Sequence, residues 1–217
     1  MSDRFRITLA QANPVMGDLK GNAAKAKAAW EQAKQAGSDI VAFPEMFIVG
    51  YNPQDLIRKP ALQKAALATI EQLAVDCADG PALAIGGPFA HNGHLFNAYY
   101  ICQGGTVVHR NLKHHLPNYN VFDEHRLFDQ GPMGGPYEIN GVRLGSPICE
   151  DAWFEDVAET MEETGAEILL VPNGSPYYRG KFDRRMNHMV ARVIETGLPL
   201  VYLNMVGGQD DRVFDGG

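Results

Sequence analysis

Cysteine is scarce in this sequence, and its pattern does not indicate a disulfide framework. The 217 residues contain three cysteines, Cys77, Cys102 and Cys149, at uneven spacing. Secreted domains that depend on disulfides usually have an even number of regularly spaced cysteines. The pattern therefore favours a reducing, cytoplasmic environment in which at most one of these thiols is reactive.

Long apolar segments and runs of one charge are also missing. No apolar run approaches the roughly 20 residues of a membrane-spanning helix. Residues 1–6 (MSDRFR) are polar, so no signal peptide is expected. The formal net charge of −7 is unfavourable for binding nucleic acid or an anionic membrane. We therefore expect neither a nucleic acid nor a membrane as partner.

Two common motifs for metal and phosphate binding do not occur. Seven histidines are present, but none forms an H-E-x-x-H motif, and there is no G-x-x-x-x-G-K-[ST] loop. The pairs His91/His94 and His114/His115 are interpreted as surface residues. We expect no metal to be needed for the chemistry of this chain.

The sequence does contain a regular alternation of short apolar strands and helix-like segments. Its composition, 45% hydrophobic and 21% charged, is typical of a globular domain. One helix is predicted between a cap at Asn22 and Gly37, and another begins at Pro60. Hairpin signals such as Asn92-Gly93 interrupt the alternation. These features predict an α/β fold with two mixed sheets covered by helices.

One stretch combines a strand end, a cysteine and two carboxylates. The apolar run Val142–Ile148 predicts a strand that ends at Cys149, and Glu150, Asp151 and a helix-like segment follow. Ligands of α/β proteins usually bind at such strand ends, and a helix N-terminus would favour the thiolate form of the cysteine. The alternative for Cys149 is a small buried hydrophobe, as most unpaired cysteines are.

Two further polar residues also follow predicted strands. Glu45 comes after Ile40–Phe43, and Lys113 comes after Thr106–Arg110. If these strand ends meet Cys149, the carboxylate can take the thiol proton. The lysine can then lower the thiol pKa and stabilise an oxyanion. Taken singly, Glu45 would be a solvated or capping carboxylate, and Lys113 would be a surface lysine.

Several short motifs carry a specific resemblance. Three of them resemble the motifs of the nitrilase, or carbon–nitrogen hydrolase, superfamily: residues 43–46 (FPEM), 112–117 (LKHHLP) and 148–153 (ICEDAW). A finer set is similar to the glutaminase domain of glutamine-dependent NAD(+) synthetases: residues 116–124 (LPNYNVFDE), 173–177 (NGSPY) and 206–210 (VGGQD). The resemblance extends over residues 1–217 and implies a four-layer αββα sandwich with two mixed β-sheets.

The resemblance also implies a Glu-Lys-Cys catalytic triad. Cys149 would attack the side-chain amide carbon of L-glutamine, with Glu45 as general base and Lys113 as the group that stabilises thiolate and oxyanion. A cysteine thioester would form, ammonia and then glutamate would leave, and no cofactor would be required. Glu124 matches a second glutamate that the superfamily places near the lysine, and its alternative is a carboxylate on a loop surface.

A second group of residues is implied to bind glutamine. Its members are Tyr119, Ser175, Lys181, Glu150, Trp153 and Tyr51. Lys181 would supply the cation for the α-carboxylate, and Glu150 would pair with the α-ammonium. The alternatives are a turn role for Ser175, a surface position for Lys181, and ordinary packing for Tyr51 and Trp153.

Complete synthetases of this kind have a further ATP-using domain, and nothing in residues 1–217 resembles it. The chain also ends before the last strands of such a sandwich, so we expect a C-terminally truncated glutaminase domain. ATP and Mg²⁺ would act in the missing synthetase domain, where the ammonia would convert deamido-NAD to NAD. The resemblance further implies a homo-oligomer. Two alternatives stay open: a free-standing amidase or N-carbamoyl hydrolase of the superfamily, and a non-catalytic assembly module.

Overall fold

The first half of the chain forms one β-sheet and two helices in the computed structural model, which describes residues 4–217. In chain order the elements are β1 (Ile7–Leu9), α1 (Leu19–Gln35), β2 (Ile40–Ala42), α2 (Pro60–Asp76), β3 (Ala82–His91), β4 (His94–Gln103) and β5 (Thr106–Leu112). The sheet has the order β1-β2-β3-β4-β5, with parallel pairs up to β3 and antiparallel pairs after it. The inserted hairpins therefore make this sheet mixed, as predicted.

The second half forms another sheet with two helices and a separate hairpin. Its elements are β6 (Tyr137–Ile139), β7 (Val142–Gly145), α3 (Glu155–Glu163), β8 (Ile168–Asn173), α4 (Lys181–Thr196), β9 (Leu200–Asn204), β10 (Val206–Gln209) and β11 (Arg212–Asp215). The sheet order is β6-β7-β8-β9, with β6 antiparallel to β7 and the other pairs parallel. The separate hairpin at the C-terminal side is formed by β10 and β11.

The two larger sheets pack face to face, and helices cover their outer faces. Successive strand residues point to opposite faces, so Leu83 and Ile85 of β3 pack with α1 and α2. Ala82 and Ala84 instead face the second sheet, where they meet Leu170 of β8. Helices α3 and α4 cover the other face of the second sheet. This is the four-layer αββα sandwich predicted from the sequence.

Helix α1 begins earlier than predicted because its cap is Asp18 and not Asn22. The Asp18 carboxylate accepts a hydrogen bond of 2.9 Å from the first turn of the helix. Asn22 lies inside the helix and is fully buried, where its amide donates to the backbone carbonyls of Val15 and Ile48. An asparagine can cap a helix or anchor a neighbouring loop, and here tertiary contacts select the second role. The predicted helix end at Gly37, with φ 66°, is confirmed.

The strand before Cys149 is also shorter than predicted. β7 ends at Gly145, and Pro147, two residues later, has no N–H to continue a ladder. Residues Cys149–Trp153 then form a single 3₁₀ turn. The nucleophile candidate therefore lies on a tight turn between β7 and α3, not at the start of a long helix.

Two of the tight turns are built on Asn-Gly pairs. Asn92-Gly93 joins β3 to β4, and Asn140-Gly141 joins β6 to β7. Both asparagines have a φ of 50°, which is the left-handed conformation that two-residue hairpins favour. The hairpin predicted at Asn92-Gly93 is confirmed.

Helix α4 exposes an apolar stripe on the outer face of the sandwich. Phe182, Met186, Val190 and Ile194 are between 47% and 76% exposed, and their four-residue spacing places them on one face of the helix. None of the helices in residues 4–217 combines the length and apolarity that a bilayer span requires. The homo-oligomer implied by the resemblance stays a prediction.

Candidate active site

Three charged side chains predicted to be catalytic are in direct contact and fully buried. Lys113 Nζ lies 2.7 Å from Glu45 Oε1 and 2.8 Å from Glu124 Oε2. None of the three side chains has exposed surface. Buried charges are costly unless they are paired and hydrogen-bonded. The geometry therefore excludes a surface lysine, a solvated glutamate and a loop-surface carboxylate as descriptions of these residues.

Glu45, Lys113 and Glu124 are brought together by the ends of two strands and by the loop that follows β5. Glu45 follows β2, and the chain there passes so close to Gly86 that a Cβ at position 86 would lie 2.2 Å from a backbone nitrogen. Lys113 directly follows β5. Glu124 begins a 3₁₀ turn, Glu124–Arg126, within the loop that follows. Gly86 is needed beside the segment that carries Glu45, because only a residue without a side chain permits this close backbone approach.

Both carboxylate oxygens of Glu45 accept further hydrogen bonds. Asn97 Nδ2 donates to Oε1 at 2.7 Å, and the Gly174 N–H donates to Oε2 at 2.8 Å. With Lys113, these two donors hold the Glu45 carboxylate in one orientation. Position 174 must be glycine, because a Cβ there would lie 2.6 Å from the Tyr51 ring. Sequence reasoning missed Asn97, for which the available signal is a lone amide within the apolar strand β4.

Tyr51 lies against the same cluster. Its hydroxyl donates to Glu124 Oε1 at 2.8 Å, and its ring centroid lies 6.0 Å from Lys113 Nζ. Burial and the nearby Glu124 and Glu45 charges raise the pKa of Tyr51 well above its ordinary value of 10.0. Tyr51 is therefore a neutral hydrogen-bond donor to the cluster as well as a packed aromatic side chain.

Burial shifts the pKa values of Lys113 and Glu124 in opposite directions. Burial lowers the pKa of Lys113, but Glu124 and Glu45 outweigh it and raise that pKa well above its ordinary value of 10.5. For Glu124, burial raises the carboxyl pKa from 4.5 to about 7, although Lys113 lowers it. Lys113 is therefore charged at neutral pH, whereas Glu124 titrates there.

Glu124 is expected to make the folded chain less stable as pH rises from about 5 to about 8. Because the folded-state pKa of about 7 exceeds the ordinary 4.5, the folded chain binds more protons than the unfolded chain in this window. The loss is on the order of 3 kcal/mol, at about 1.4 kcal/mol per pKa unit. Urea unfolding of wild type and Glu124→Gln across this range should show that the variant lacks this component.

The matched control for this measurement is Glu159→Gln, which changes an exposed carboxyl on α3. It should keep the wild-type dependence of the unfolding free energy on pH. Equal pH dependence in wild type and Glu124→Gln would contradict the raised pKa of Glu124.

Cys149 has an unusual backbone conformation. It begins the 3₁₀ turn with a φ of 50°, and its side chain is only 3% exposed. A non-glycine residue in the left-handed region costs on the order of 1–3 kcal/mol, and such residues cluster at functional sites. The turn places the thiol within the electrostatic influence of Glu45 and Lys113.

Lys113 lowers the thiol pKa of Cys149 as expected, but the net shift is upward. Burial raises the pKa of Cys149 well above its ordinary value of 9.0, Glu45 raises it further, and Lys113 only partly opposes them. The lysine charge is already matched by two carboxylates, and a single 3₁₀ turn supplies little of the dipole of a long helix. The proton therefore stays on Cys149 until a base removes it.

Asp151 fixes the turn that carries Cys149. Its Oδ1 accepts hydrogen bonds from the backbone N–H groups of His114 and His115 at 3.0 and 2.7 Å. Its Oδ2 accepts from the Ile148 N–H at 2.9 Å. Asp151 therefore joins the segment after β5 to the nucleophile turn. Sequence reasoning did not assign it a role, and its spacing of three from Ile148 is a capping signal.

Two of the predicted glutamine-binding residues contact each other. The Tyr119 hydroxyl lies 2.9 and 2.8 Å from the two carboxylate oxygens of Glu150. Glu150 is 7% exposed and Tyr119 is 39% exposed, and both line a cavity of about 630 Å³. A carboxylate at the wall of such a cavity can receive a cationic group.

Lys181 and Trp153 form a second predicted pair. Lys181 Nζ lies 4.2 Å from the Trp153 ring centroid, and the His188 ring stacks on Trp153 with centroids 4.3 Å apart. Lys181 is 2% exposed, which excludes a surface lysine. Burial and the nearby Arg185 guanidinium lower the pKa of Lys181 below its ordinary value of 10.5, although Glu150 partly opposes them. No carboxylate within residues 4–217 forms a salt bridge with this ammonium, so it is suited to an incoming anion.

Ser175 is held in a buried network. Its N–H donates to Asn204 Oδ1 at 2.9 Å, and its hydroxyl accepts from Arg185 Nε at 3.2 Å. Arg185 is 2% exposed and was not predicted. Its position one helical turn after Lys181 is a usable signal, because residues four apart lie on one helix face.

Comparison with known proteins agrees with this geometry. A family model described as "Carbon-nitrogen hydrolase" matches residues 6–217. The chain belongs to the carbon–nitrogen hydrolase family. A glutamine-dependent NAD(+) synthetase of Rhodobacter capsulatus is 57% identical over the whole chain, and one of Thermotoga maritima is 34% identical over 99% of it. This chain spans 39% and 38% of the lengths of those two relatives.

Solved structures of this hydrolase family share the fold. The glutamine-dependent NAD⁺ synthetase of Acinetobacter baumannii, solved with ADP, superposes with a TM-score of 0.89 at 32% identity. That match covers 98% of this chain and 40% of the synthetase. An amidase from Nesterenkonia sp. AN1 has a TM-score of 0.86 at 24% identity, over 99% of this chain and 83% of the amidase. The amidase likeness supports the fold alone.

Proposed function

We propose that this chain hydrolyses the side-chain amide of L-glutamine to glutamate and ammonia. The observation that carries the proposal is the buried Glu45–Lys113–Glu124 cluster beside Cys149 in its left-handed turn. Similarity over the whole chain to glutamine-dependent NAD(+) synthetases supports glutamine as the amide. Thiol-based amide hydrolysis needs a nucleophile, a base and a group that stabilises the oxyanion, and Cys149, Glu45 and Lys113 supply these three.

In the proposed mechanism Glu45 moves the protons. Glu45 takes the thiol proton as Cys149 Sγ attacks the amide carbon, and the Lys113 ammonium stabilises the oxyanion together with the Glu150 N–H. The C–N bond breaks as the proton passes from Glu45 to nitrogen, and ammonia leaves a glutamyl thioester. Glu45 then takes a proton from water, the hydroxide attacks the thioester, and glutamate leaves as Cys149 recovers its proton. No cofactor enters these steps.

Recognition of glutamine is proposed for Glu150 and Tyr119, which line the 630 Å³ cavity, together with the buried side chains of Lys181, Trp153, Ser175 and Tyr51. Lys181 would bind the α-carboxylate, and Glu150, hydrogen-bonded by Tyr119, would bind the α-ammonium. Trp153 would position Lys181 through their 4.2 Å contact. Ser175 and Tyr51 complete the proposed pocket from positions already fixed by Arg185 and Glu124.

Lys181→Gln is expected to raise KM for L-glutamine about 10- to 100-fold with a smaller effect on kcat. Loss of a charge-assisted hydrogen bond costs about 1.5–3 kcal/mol, and the substrate α-carboxylate lies away from the reacting carbon. Steady-state kinetics with L-glutamine and with butyramide, which has no carboxylate, measure the effect. Lys64→Gln, at an exposed lysine of α2, should match wild type, and an equal loss with both amides would contradict this role for Lys181.

The wider role is proposed from the longer relatives. In a full-length protein the ammonia would pass to an ATP- and Mg²⁺-dependent synthetase domain that converts deamido-NAD to NAD. The domain formed by residues 1–217 would act in the cytoplasm as the glutaminase part of a homo-oligomer. These statements rest on relatives of which this chain spans about two fifths.

The direct test is release of glutamate and ammonia from L-glutamine in equal amounts. A free-standing amidase of other specificity would instead release ammonia from simple amides or N-carbamoyl compounds and leave glutamine intact. If no substrate is turned over, intact-mass analysis with a glutamine-analogue electrophile decides the point. One adduct on Cys149 supports a formed glutamine site, and no adduct contradicts the assignment and favours an assembly module.

A further inference from the structure

Three side chains that can bind a metal ion meet at the rim of the 630 Å³ cavity. One potential ligand atom each from His114, His115 and Asp156 lies within 4.8 Å of the other two. Both histidines line the cavity, together with Tyr119 and Glu150. Ligand bonds to zinc are about 2.0–2.2 Å long, so shifts on the order of 1 Å would bring the three atoms around one ion.

One ring nitrogen of His114 can become a metal ligand if a single hydrogen bond is displaced. His114 Nδ1 lies 2.8 Å from the Gly131 carbonyl oxygen, which can only accept, so Nδ1 carries the proton. The Gln130 amide nitrogen lies 3.0 Å from Nε2 and donates to its lone pair. Metal-binding histidines typically donate their other N–H to a backbone carbonyl, which fixes tautomer and orientation. His114 has that arrangement.

His115 and Asp156 supply the other two ligands. His115 Nε2 lies 2.8 and 3.0 Å from the two carboxylate oxygens of Asp156, so a proton occupies the space between them. A divalent cation can take the place of this hydrogen on Nε2, and the ring proton then lies on Nδ1. Two imidazoles and one carboxylate form the ligand set of zinc sites that keep a fourth position open.

Hydrogen bonds connect the His114–His115–Asp156 cluster to the turn that carries Cys149. The backbone N–H groups of both histidines donate to Asp151 Oδ1, and Asp151 lies in the turn that begins at Cys149. We propose that His114, His115 and Asp156 bind one Zn²⁺ ion and that the bound ion inhibits the enzyme. The ion would narrow the cavity beside Tyr119 and Glu150 and hold the loop that follows Lys113. The inhibitory part rests on the proposed function, whereas the binding part does not.

Titration with Co²⁺ tests binding without reference to activity. We expect a visible d–d absorption that saturates at one Co²⁺ per chain and is abolished by one equivalent of Zn²⁺. The same result is expected for Cys149→Ala, which excludes a thiolate ligand. His115→Ala and Asp156→Asn should each weaken binding by about 100-fold or more. His91→Ala, which removes an exposed histidine in the β3–β4 turn, should bind like wild type.

The outcomes separate the proposed metal site from the proposed glutamine hydrolysis. Absence of saturable Co²⁺ binding, or equal affinity in Asp156→Asn and wild type, overturns the metal site whatever the activity of the chain. Binding that weakens in the two ligand variants supports the site even if glutamine is not hydrolysed. Where glutamine is hydrolysed, Zn²⁺ should inhibit wild type and His91→Ala at concentrations that leave Asp156→Asn active, and equal inhibition of all three overturns the inhibitory role.

Discussion

Cys149→Ala is expected to reduce glutamine hydrolysis by about four orders of magnitude or more, because loss of a covalent nucleophile removes the acylation step. The fold should persist, since Cys149 is a small side chain in a turn held by the three hydrogen bonds of Asp151. Glutamate release in a coupled assay measures the loss, and circular dichroism checks the fold. Retention of more than about 1% of wild-type rate would contradict a nucleophilic role.

Cys77→Ala is the matched control for that experiment. Cys77 is also a buried free thiol, but it lies at the end of α2, outside the charged cluster. Its replacement should leave the glutaminase rate within about twofold of wild type, because it contacts none of the proposed catalytic groups. The pair of variants therefore separates loss of one specific thiol from a general effect of removing buried sulfur.

Lys113→Met is expected to reduce the free energy of unfolding by about 3–5 kcal/mol at pH 8, because it leaves two buried carboxylates without their cation. Glu45 and Glu124 both lie within 2.8 Å of the lysine nitrogen. Without it, the pKa of Glu124 should rise above about 7, because Lys113 now lowers it, and protonation of Glu124 should relieve part of the loss as pH falls. Urea unfolding at pH 5 and pH 8 should therefore show the larger deficit at pH 8.

A second substitution makes this prediction specific. Lys113→Met combined with Glu124→Gln removes one of the two unpaired charges, so it should be more stable at pH 8 than Lys113→Met alone. Lys64→Met changes an exposed lysine and should stay within about 0.5 kcal/mol of wild type. If Lys113→Met resembled Lys64→Met, the buried cluster would not carry the charges described.

The sequence pattern predicted two mixed sheets covered by helices because the strands have clear signals. Short apolar runs such as Ile40–Ala42 can be satisfied only by burial on both faces, and Asn-Gly pairs mark the hairpins. The meeting of Glu45 and Lys113 followed from their places at strand ends. The four-layer αββα arrangement and the expected specificity for glutamine came from the family resemblance and not from the local sequence pattern.

The parts that could not be predicted depend on contacts distant in the chain. Asn22 has the residue type of a helix cap, and only the packing of a loop shows that it serves elsewhere. The lowering of the Cys149 pKa by Lys113 was predicted, but the net rise was not, because the sequence does not show how far the thiol is buried or how strongly nearby charges compensate one another. Asn97 and Arg185 were missed because the role of a single polar residue in an apolar or basic segment depends on its hydrogen-bond partners, which the sequence does not show.

The hydrogen bond from the Gly174 N–H to Glu45 also affects where this protein deamidates. Asn-Gly pairs deamidate when the glycine nitrogen attacks the asparagine side chain, which requires a free and mobile backbone nitrogen. At Asn92-Gly93 and Asn140-Gly141 the pair lies in an exposed turn, so chemical damage should begin there. At Asn173-Gly174 the nitrogen is held by Glu45 and both residues are buried. The bond that orients the proposed base therefore also protects the adjoining peptide from chemical decay.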